Sequence, residues 1–339
     1  MNILAVTCMR NEGPYCIEWI AHHRAAGFTH FLIYTHDCTD GTDVLLDLLP
    51  GVTHVSFDVL EDKSPQWRAM RLADKHPLMA KTDWAMFFDC DEFLCLEAPF
   101  KTAADLIESV PDDTDAIALQ WRLFGSSGEI DWVTGLTTSR FTRAAPLNFT
   151  LPAGNFFKTL YQPVKFQKVG VHRPKNKKNH APKWVLGGTQ SAPSAFNEDD
   201  KRINLFGLIT TKPNAWLNHY STKSVTEFMI KRDRGLPNRR TKTIDLNCWA
   251  ERNFNTITDQ TIEHMLLSTL DEHEQLLELS GVSGMVHKAE GLHKESFDRL
   301  MTQRDAVMLF LHLSLLSGSV APSQKAINTK PKRLSAAKV

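Results

Sequence analysis

Trp84-Ala85-Met86-Phe87-Phe88-Asp89-Cys90-Asp91-Glu92-Phe93 is an apolar run that breaks into three acids within four positions and then returns to an aromatic residue. A short, uninterrupted apolar run suits a strand covered on both faces, as in a parallel sheet. Two carboxylates at Asp-x-Asp spacing in the turn after such a strand can face one divalent cation and the phosphates it bridges. Mg²⁺ and Mn²⁺ take oxygen ligands of this kind, commonly one or two protein carboxylates plus substrate phosphates. The structural alternative is a solvated acidic turn. Against it stand the aromatic flanks and the mutual repulsion of three close acids, which a cation would relieve. Asp89 and Asp91 are therefore the expected metal ligands, with Mn²⁺ or Mg²⁺ as cofactor.

Upstream, residues 3–9 form another continuous apolar run, followed by the loop Arg10-Asn11-Glu12-Gly13. Pro14 then opens a helix that Gly27 closes. Strand-like and helix-like segments keep alternating: a strand at 28–34, a short helix at 42–49 stopped by Pro50, a strand at 52–58, a helix at 65–79 and the strand at 84–88. Such alternation with short connections predicts an α/β fold, a mostly parallel central sheet with helices on both faces. Ligands of these sheets bind at the carboxyl ends of the strands, where the acidic turn lies. After a helix near 102–110 and a strand near 116–123, residues 125–215 turn irregular and carry a basic run at 165–183. This run reads either as a grip for an anionic acceptor or as a solvated loop. Helices are expected at 224–234, 258–280 and 294–316. The implied organisation is a sheet domain over 1–240, a helical extension over 241–322 and a disordered basic tail over 323–339.

Lys plus Arg and Asp plus Glu both number 39. The chain as a whole therefore generates no field of the kind that marks a general nucleic-acid binder. Its longest apolar stretch, 306–316, falls well short of the roughly 20 residues that span a bilayer; this leaves room only for peripheral membrane association. The N-terminus lacks a signal-peptide pattern, and six cysteines without a CxxC pair read as reduced, buried thiols. A cytoplasmic location is expected.

Taken in order, several stretches resemble the successive motifs of glycosyltransferase family 2-like proteins, and most closely the branch related to family 92 (domain of unknown function 23). They are Arg10-Asn11-Glu12-Gly13, Glu18-Trp19-Ile20 with His23, Asp37-Cys38-Thr39-Asp40-Gly41-Thr42, the acidic turn, Phe124-Gly125-Ser126-Ser127-Gly128, and Asn218-His219-Tyr220 leading to Lys231-Arg232-Asp233-Arg234. The resemblance covers about residues 1–240. It implies a GT-A fold that uses a nucleotide-diphosphate sugar, uridine-linked or else guanosine-linked, and a divalent metal. By the same resemblance Asn11, Glu12 and Asp37 are expected to contact base or ribose, and His219 to complete the metal site. Lys223, Lys231 and Arg234 are expected near the diphosphate. Four of them have a structural alternative: Glu12 as a carboxylate at a helix N-terminus, His219 as a buried core histidine, Lys231 and Arg234 as a solvated helix face.

A transfer with inversion, which the resemblance also implies, needs a general base near the acceptor hydroxyl. Glu129, Asp131 and Glu92 are the expected candidates. The resulting expectation is a metal-dependent hexosyltransferase acting on a glycan or lipid-linked acceptor, as in polysaccharide biosynthesis. Two competing readings are a non-catalytic carbohydrate-binding or scaffold protein of the same fold and a sugar-nucleotide pyrophosphorylase. The second usually opens with a Gly-rich loop ending in a basic residue, which Arg10-Asn11-Glu12-Gly13 does not supply.

Overall fold

A computed structural model describes the chain apart from residues 60–63, 147–148, 150, 206, 209–211, 236–243 and 322–339. The boundary expected at 240/241 and the tail expected at 323–339 lie outside the described residues. All seven residues of β1 (Ile3–Met9) are buried, as an apolar run must be when both faces are covered. α1 (Gly13–Ala25) leads to β2 (His30–Thr35), and α2 (Thr42–Asp47) leads to β3 (Val52–Ser56). α3 (Pro65–Ala73) precedes β4 (Trp84–Phe87). β4, β1, β2 and β3 lie side by side and parallel, which brings their carboxyl ends to one rim.

The acidic turn separates β4 from β5 (Glu92–Leu96), and here the plain alternation ends. The later strands of the main sheet are β6 (Ala116–Leu123), β7 (Phe157–Tyr161), β8 (Trp184–Leu186), β9 (Gln190–Ser191) and β10 (Ala215–His219). β7 is inserted antiparallel between β4 and β6, and the sheet runs β9-β8-β6-β7-β4-β1-β2-β3. β5 does not rejoin β4. It pairs antiparallel with β10, which in turn runs parallel to β6. The fold is the expected α/β arrangement, parallel in its N-terminal half and mixed beyond it.

α1 fixes the acidic turn in place. Trp19 is fully buried against Phe31 and Phe88, and its indole donates to the Glu92 carbonyl at 3.1 Å. The His23 Nε2 accepts from the Leu94 amide at 3.2 Å, so its Nδ1 carries the proton donated to the Trp19 carbonyl at 2.7 Å. His22 bonds the Leu94 carbonyl at 2.8 Å. Burial lowers His22 to about 4 and His23 further below its ordinary value, so both rings are neutral struts between helix and strand.

The helices from 225 onward are α4 (Val225–Arg234), α5 (Leu266–Leu277), α6 (Val282–Leu300) and α7 (Arg304–Leu315). The first matches the expected helix. The helix expected from 258 opens only after a 3-10 turn at Thr261–Met265. The one expected over 294–316 is two helices broken between Met301 and Gln303, and α6 begins earlier, at Val282. α5 and α6 pack against α1, and α6 also touches α4 and α2. Gly13 marks how close this packing is: a Cβ there would lie 2.5 Å from the Ala289 Cβ of α6.

Candidate active site

The turn after β4 is held by its own atoms. The Glu92 amide donates to the Asp89 carbonyl at 3.0 Å, and the Asp89 amide donates to Glu92 Oε2 at 2.9 Å. From there the two aspartates part. Asp89 accepts from Gln66 Nε2 of α3 at 2.9 Å and from Lys158 Nζ of β7 at 3.1 Å. Lys158 is fully buried and also lies 3.4 Å from Glu92, which is equally buried. One ammonium thus serves two carboxylates. Burial works against its charge, yet Asp89 and Glu92 more than offset this and raise its pKa. Burial, countered by Lys158 and reinforced by Asp89 and Asp91, holds the Glu92 carboxyl well above the usual range.

Asp91 faces the other way. Its Oδ2 accepts from Lys231 Nζ of α4 at 2.6 Å, and its Oδ1 lies 3.6 Å from His219 Nε2. Burial penalises its charge, but Lys231 and His219 hold the carboxyl well below the usual range. The His219 ring is pushed toward its neutral form by burial, packs on Trp121 with 4.2 Å between ring centres, and leaves Nδ1 buried without a partner. The antiparallel register of β10 on β5 sets His219 opposite Glu92, which explains how a residue so distant in sequence reaches the turn.

Asp91 opens onto a cavity of about 420 Å³ at the carboxyl rim of the sheet. Arg10, Asn11 and Glu12 after β1, Thr39 and Asp40 after β2, Lys223, and Lys231 and Arg234 of α4 line it. Arg234 pairs with Glu12 at 2.6 Å and donates to the carbonyls of Arg10 and Asn11 at 2.8 and 3.0 Å. Asn11 adopts φ +52°, a conformation its short amide tolerates, and its side chain exchanges hydrogen bonds of 3.0 and 2.8 Å with Thr39. Lys223, at φ +51°, sets its ammonium 3.5 Å from the Tyr15 ring centre.

The far wall comes from α6. The Tyr15 hydroxyl donates to Glu227 Oε1 at 3.0 Å and stands 3.2 Å from His293 Nε2. Burial opposes the Glu227 charge, but Arg140 and Lys223 keep its carboxyl below the usual range, so it accepts. With the single hydroxyl proton directed there, Nε2–H of His293 must donate to the Tyr15 oxygen. Burial lowers His293 to about 4, so the ring is neutral.

The structure thus gathers Asn11, Glu12, Asp91, Lys223, Lys231 and Arg234 around one cavity and joins His219 to it through Asp91. Asp89 and Glu92 do not line it. Asp37 stands outside, mostly exposed and 3.2 Å from His36 Nδ1. Glu129 and Asp131 are exposed and absent from the lining, on a loop whose carbonyls at Glu129 and Ile130 cap the first amides of α4. In the basic run, Arg173 is built into the fold: it donates to the Phe196 carbonyl at 3.0 Å and stacks 4.3 Å from the Trp184 ring centre. Sequence reasoning passed over Tyr15, Glu227 and His293 as cavity residues. Glu227 had a signal, since Ser224 three positions earlier makes a capping box with it; His293 had none.

The pattern of glycosyltransferase family 92 matches residues 6–249, a span that contains the end of β1, the acidic turn, His219 and α4. The chain belongs to glycosyltransferase family 92. No curated protein matches it. Among solved structures, this family 92 chain is similar to Rv0371c from Mycobacterium tuberculosis H37Rv, at 16% identity over 36% of this chain and 66% of that one, with a TM-score of 0.24. It is similar to the mannosyltransferase Ktr4p from S. cerevisiae at 13% identity, over 38% and 41% of the two chains, with a TM-score of 0.24. The galactosyltransferase LgtC, solved with donor and acceptor sugar analogs, is similar at 13% identity over 47% and 58%, with a TM-score of 0.25. The chain spans under two thirds of the length of each of these proteins. The family match ends before α6, so His293 lies beyond it.

Proposed function

We propose that this family 92 chain transfers a hexose from a nucleotide-diphosphate sugar, with uridine as base, to a hydroxyl of a glycan or lipid-linked acceptor, with inversion. The bond from the anomeric carbon to the diphosphate breaks, the new bond to the acceptor oxygen forms, the acceptor's hydroxyl proton passes to a base, and the nucleoside diphosphate departs with the electron pair. One observation carries the reading: a cavity at the strand ends of a family 92 chain where an ionised aspartate meets the cations Lys223, Lys231 and Arg234. These cations are placed to offset the charge that develops on a departing diphosphate. Asn11 and Thr39, locked together at the rim, offer the polar edge against which a base and ribose would lie.

The residues present fit a divalent cation of the Mn²⁺ or Mg²⁺ kind. Among the described residues no group of three or more His, Cys, Asp or Glu side chains is arranged for a metal. Two protein ligands nevertheless suffice where substrate phosphates complete the shell. Lys231 occupies Asp91 Oδ2, while Oδ1 faces the neutral His219 Nε2, so Asp91 and His219 are the pair that would hold the ion. When bound, it would supply further charge neutralisation on the diphosphate. Asp89, engaged by Lys158 and Gln66, is the support of the turn in this proposal. Calorimetric titration of uridine-diphosphate sugars with and without Mn²⁺ tests it: binding should require Mn²⁺ and disappear in Asp91→Ala. Equal affinity in wild type and Asp91→Ala would overturn it.

A further inference from the structure

An inverting transfer needs a group that takes the acceptor's hydroxyl proton, and the carboxylates expected for it, Glu92, Glu129 and Asp131, do not line the cavity. The carboxylates that do line it are committed. Glu12 pairs with Arg234 at 2.6 Å, Asp91 with Lys231 at 2.6 Å and Asp233 with Arg299 at 2.7 Å. Asp40 accepts from the Gly13 and Thr42 amides at 3.0 and 2.9 Å, and Glu227 accepts from Tyr15, Arg140 and Ser224. His293 differs. It shares one face of α6 with Ala289 and Ser296, four residues before it and three after, and all three line the cavity. Its Nε2–H is spent on the Tyr15 oxygen at 3.2 Å, and Trp132 packs on the ring with 5.3 Å between ring centres. Nδ1 therefore carries the lone pair, and no hydrogen bond from a described residue engages it.

We propose that His293 is the general base of the transfer: Nδ1 takes the acceptor's hydroxyl proton as the acceptor oxygen bonds to the anomeric carbon, and the nucleoside diphosphate leaves with the electron pair of the broken bond. The assignment rests on the glycosyl transfer proposed above. Tyr15 and Glu227 are positioning residues. Their chain of hydrogen bonds fixes the tautomer of the ring, and the Glu227 carboxylate, reached through the Tyr15 hydroxyl, compensates the positive charge that the ring gains. Burial lowers His293 to about 4, the range of an ordinary carboxylate, so Nδ1 is free of a proton at neutral pH. Loss of the Nδ1 proton to water then resets the ring. α6 lies beyond the span that the family 92 pattern matches, so the base comes from outside that span.

The test is Mn²⁺-dependent release of UDP from UDP-glucose and UDP-galactose, with water as acceptor, by the full-length wild type and His293→Gln. Glutamine keeps an N–H donor for Tyr15 and places no acceptor where Nδ1 stands. UDP release should fall at least about 100-fold in His293→Gln, while calorimetric affinity for the donor stays within about twofold of wild type. Azide, an anionic nucleophile with no proton to lose, should restore release in His293→Gln and not in Asp91→Ala. Undiminished release in His293→Gln, loss of its donor affinity, or a defect that azide does not relieve would overturn the assignment. His293→Asn is read by the same three measurements if the glutamine variant melts early. A wild type that cleaves neither donor, even with azide, overturns the glycosyl transfer itself, whereas wild-type cleavage that survives in His293→Gln overturns only the base.

Discussion

Two lysine–carboxylate clusters sit on either side of Cys90, built from the same residue types and differing in nearly everything else. On one side Lys158 is sealed between Asp89 and Glu92, with neither Lys158 nor Glu92 exposed to solvent. On the other, Lys231 reaches Asp91 across the edge of a cavity, with its side chain 23% exposed. A buried ammonium that serves two carboxylates is committed, because removing it strands charge in a medium that cannot solvate it. A cation at a cavity edge can exchange one anion for another, since water and ligand both reach it. Chemistry of this kind is therefore carried by a cation that a ligand can reach, and Lys158 is sealed off although the Asp89 side chain beside it is 33% exposed.

The largest expected break in this contrast is in stability. Lys158→Met should cost about 3–5 kcal/mol in denaturant unfolding, as loss of one partner from a buried ion pair does. Lys231→Met should cost under about 2 kcal/mol, because water can enter beside the freed Asp91. Similar losses in the two variants would erase the distinction. Next comes donor handling: Asp91→Asn should lower Mn²⁺-dependent turnover at least about 100-fold, while Asp89→Asn, with its neighbour intact, should lower it about 10-fold or less. Kinetics on the two purified variants decide this, and a reversed order would move the metal to Asp89. The smallest effect is expected at the exposed loop. Glu129→Gln and Asp131→Asn should leave kcat within about twofold of wild type, as ordinary surface substitutions do. A large fall in kcat at unchanged KM in either variant would instead bring the general base back to this loop.

Much of this was legible along the chain. The run from Trp84 to Phe93 announces a covered strand ending in an acidic turn, and the alternation through β1 to β4 places that turn on the rim of a parallel sheet. Resemblance set Lys223, Lys231 and Arg234 near a diphosphate, and the structure lines one cavity with them and Asp91. The general-base candidates did not arrive: proximity in sequence to the Gly125–Gly128 loop or to Asp91 says nothing about which way a side chain points. Glu92 follows Asp91 directly, yet the turn folds it back beneath Asp89. α6 escaped because Gly284 and Gly291 weaken a helical pattern that packing against α1 and α4 sustains.

The sequence by itself determined the parallel half of the sheet, the acidic turn at its rim and the neutral overall charge, because apolar periodicity and turn chemistry act over a few residues. Only the tertiary structure decided that Asp91, and not Asp89, faces the cavity, that β10 delivers His219 to it, and that α6 closes the far wall with His293. Those outcomes depend on which distant strands and helices share an interface. That choice is made by the burial of Lys158, Trp19 and Tyr15 among partners up to 278 positions away in the chain, a separation no local pattern can encode.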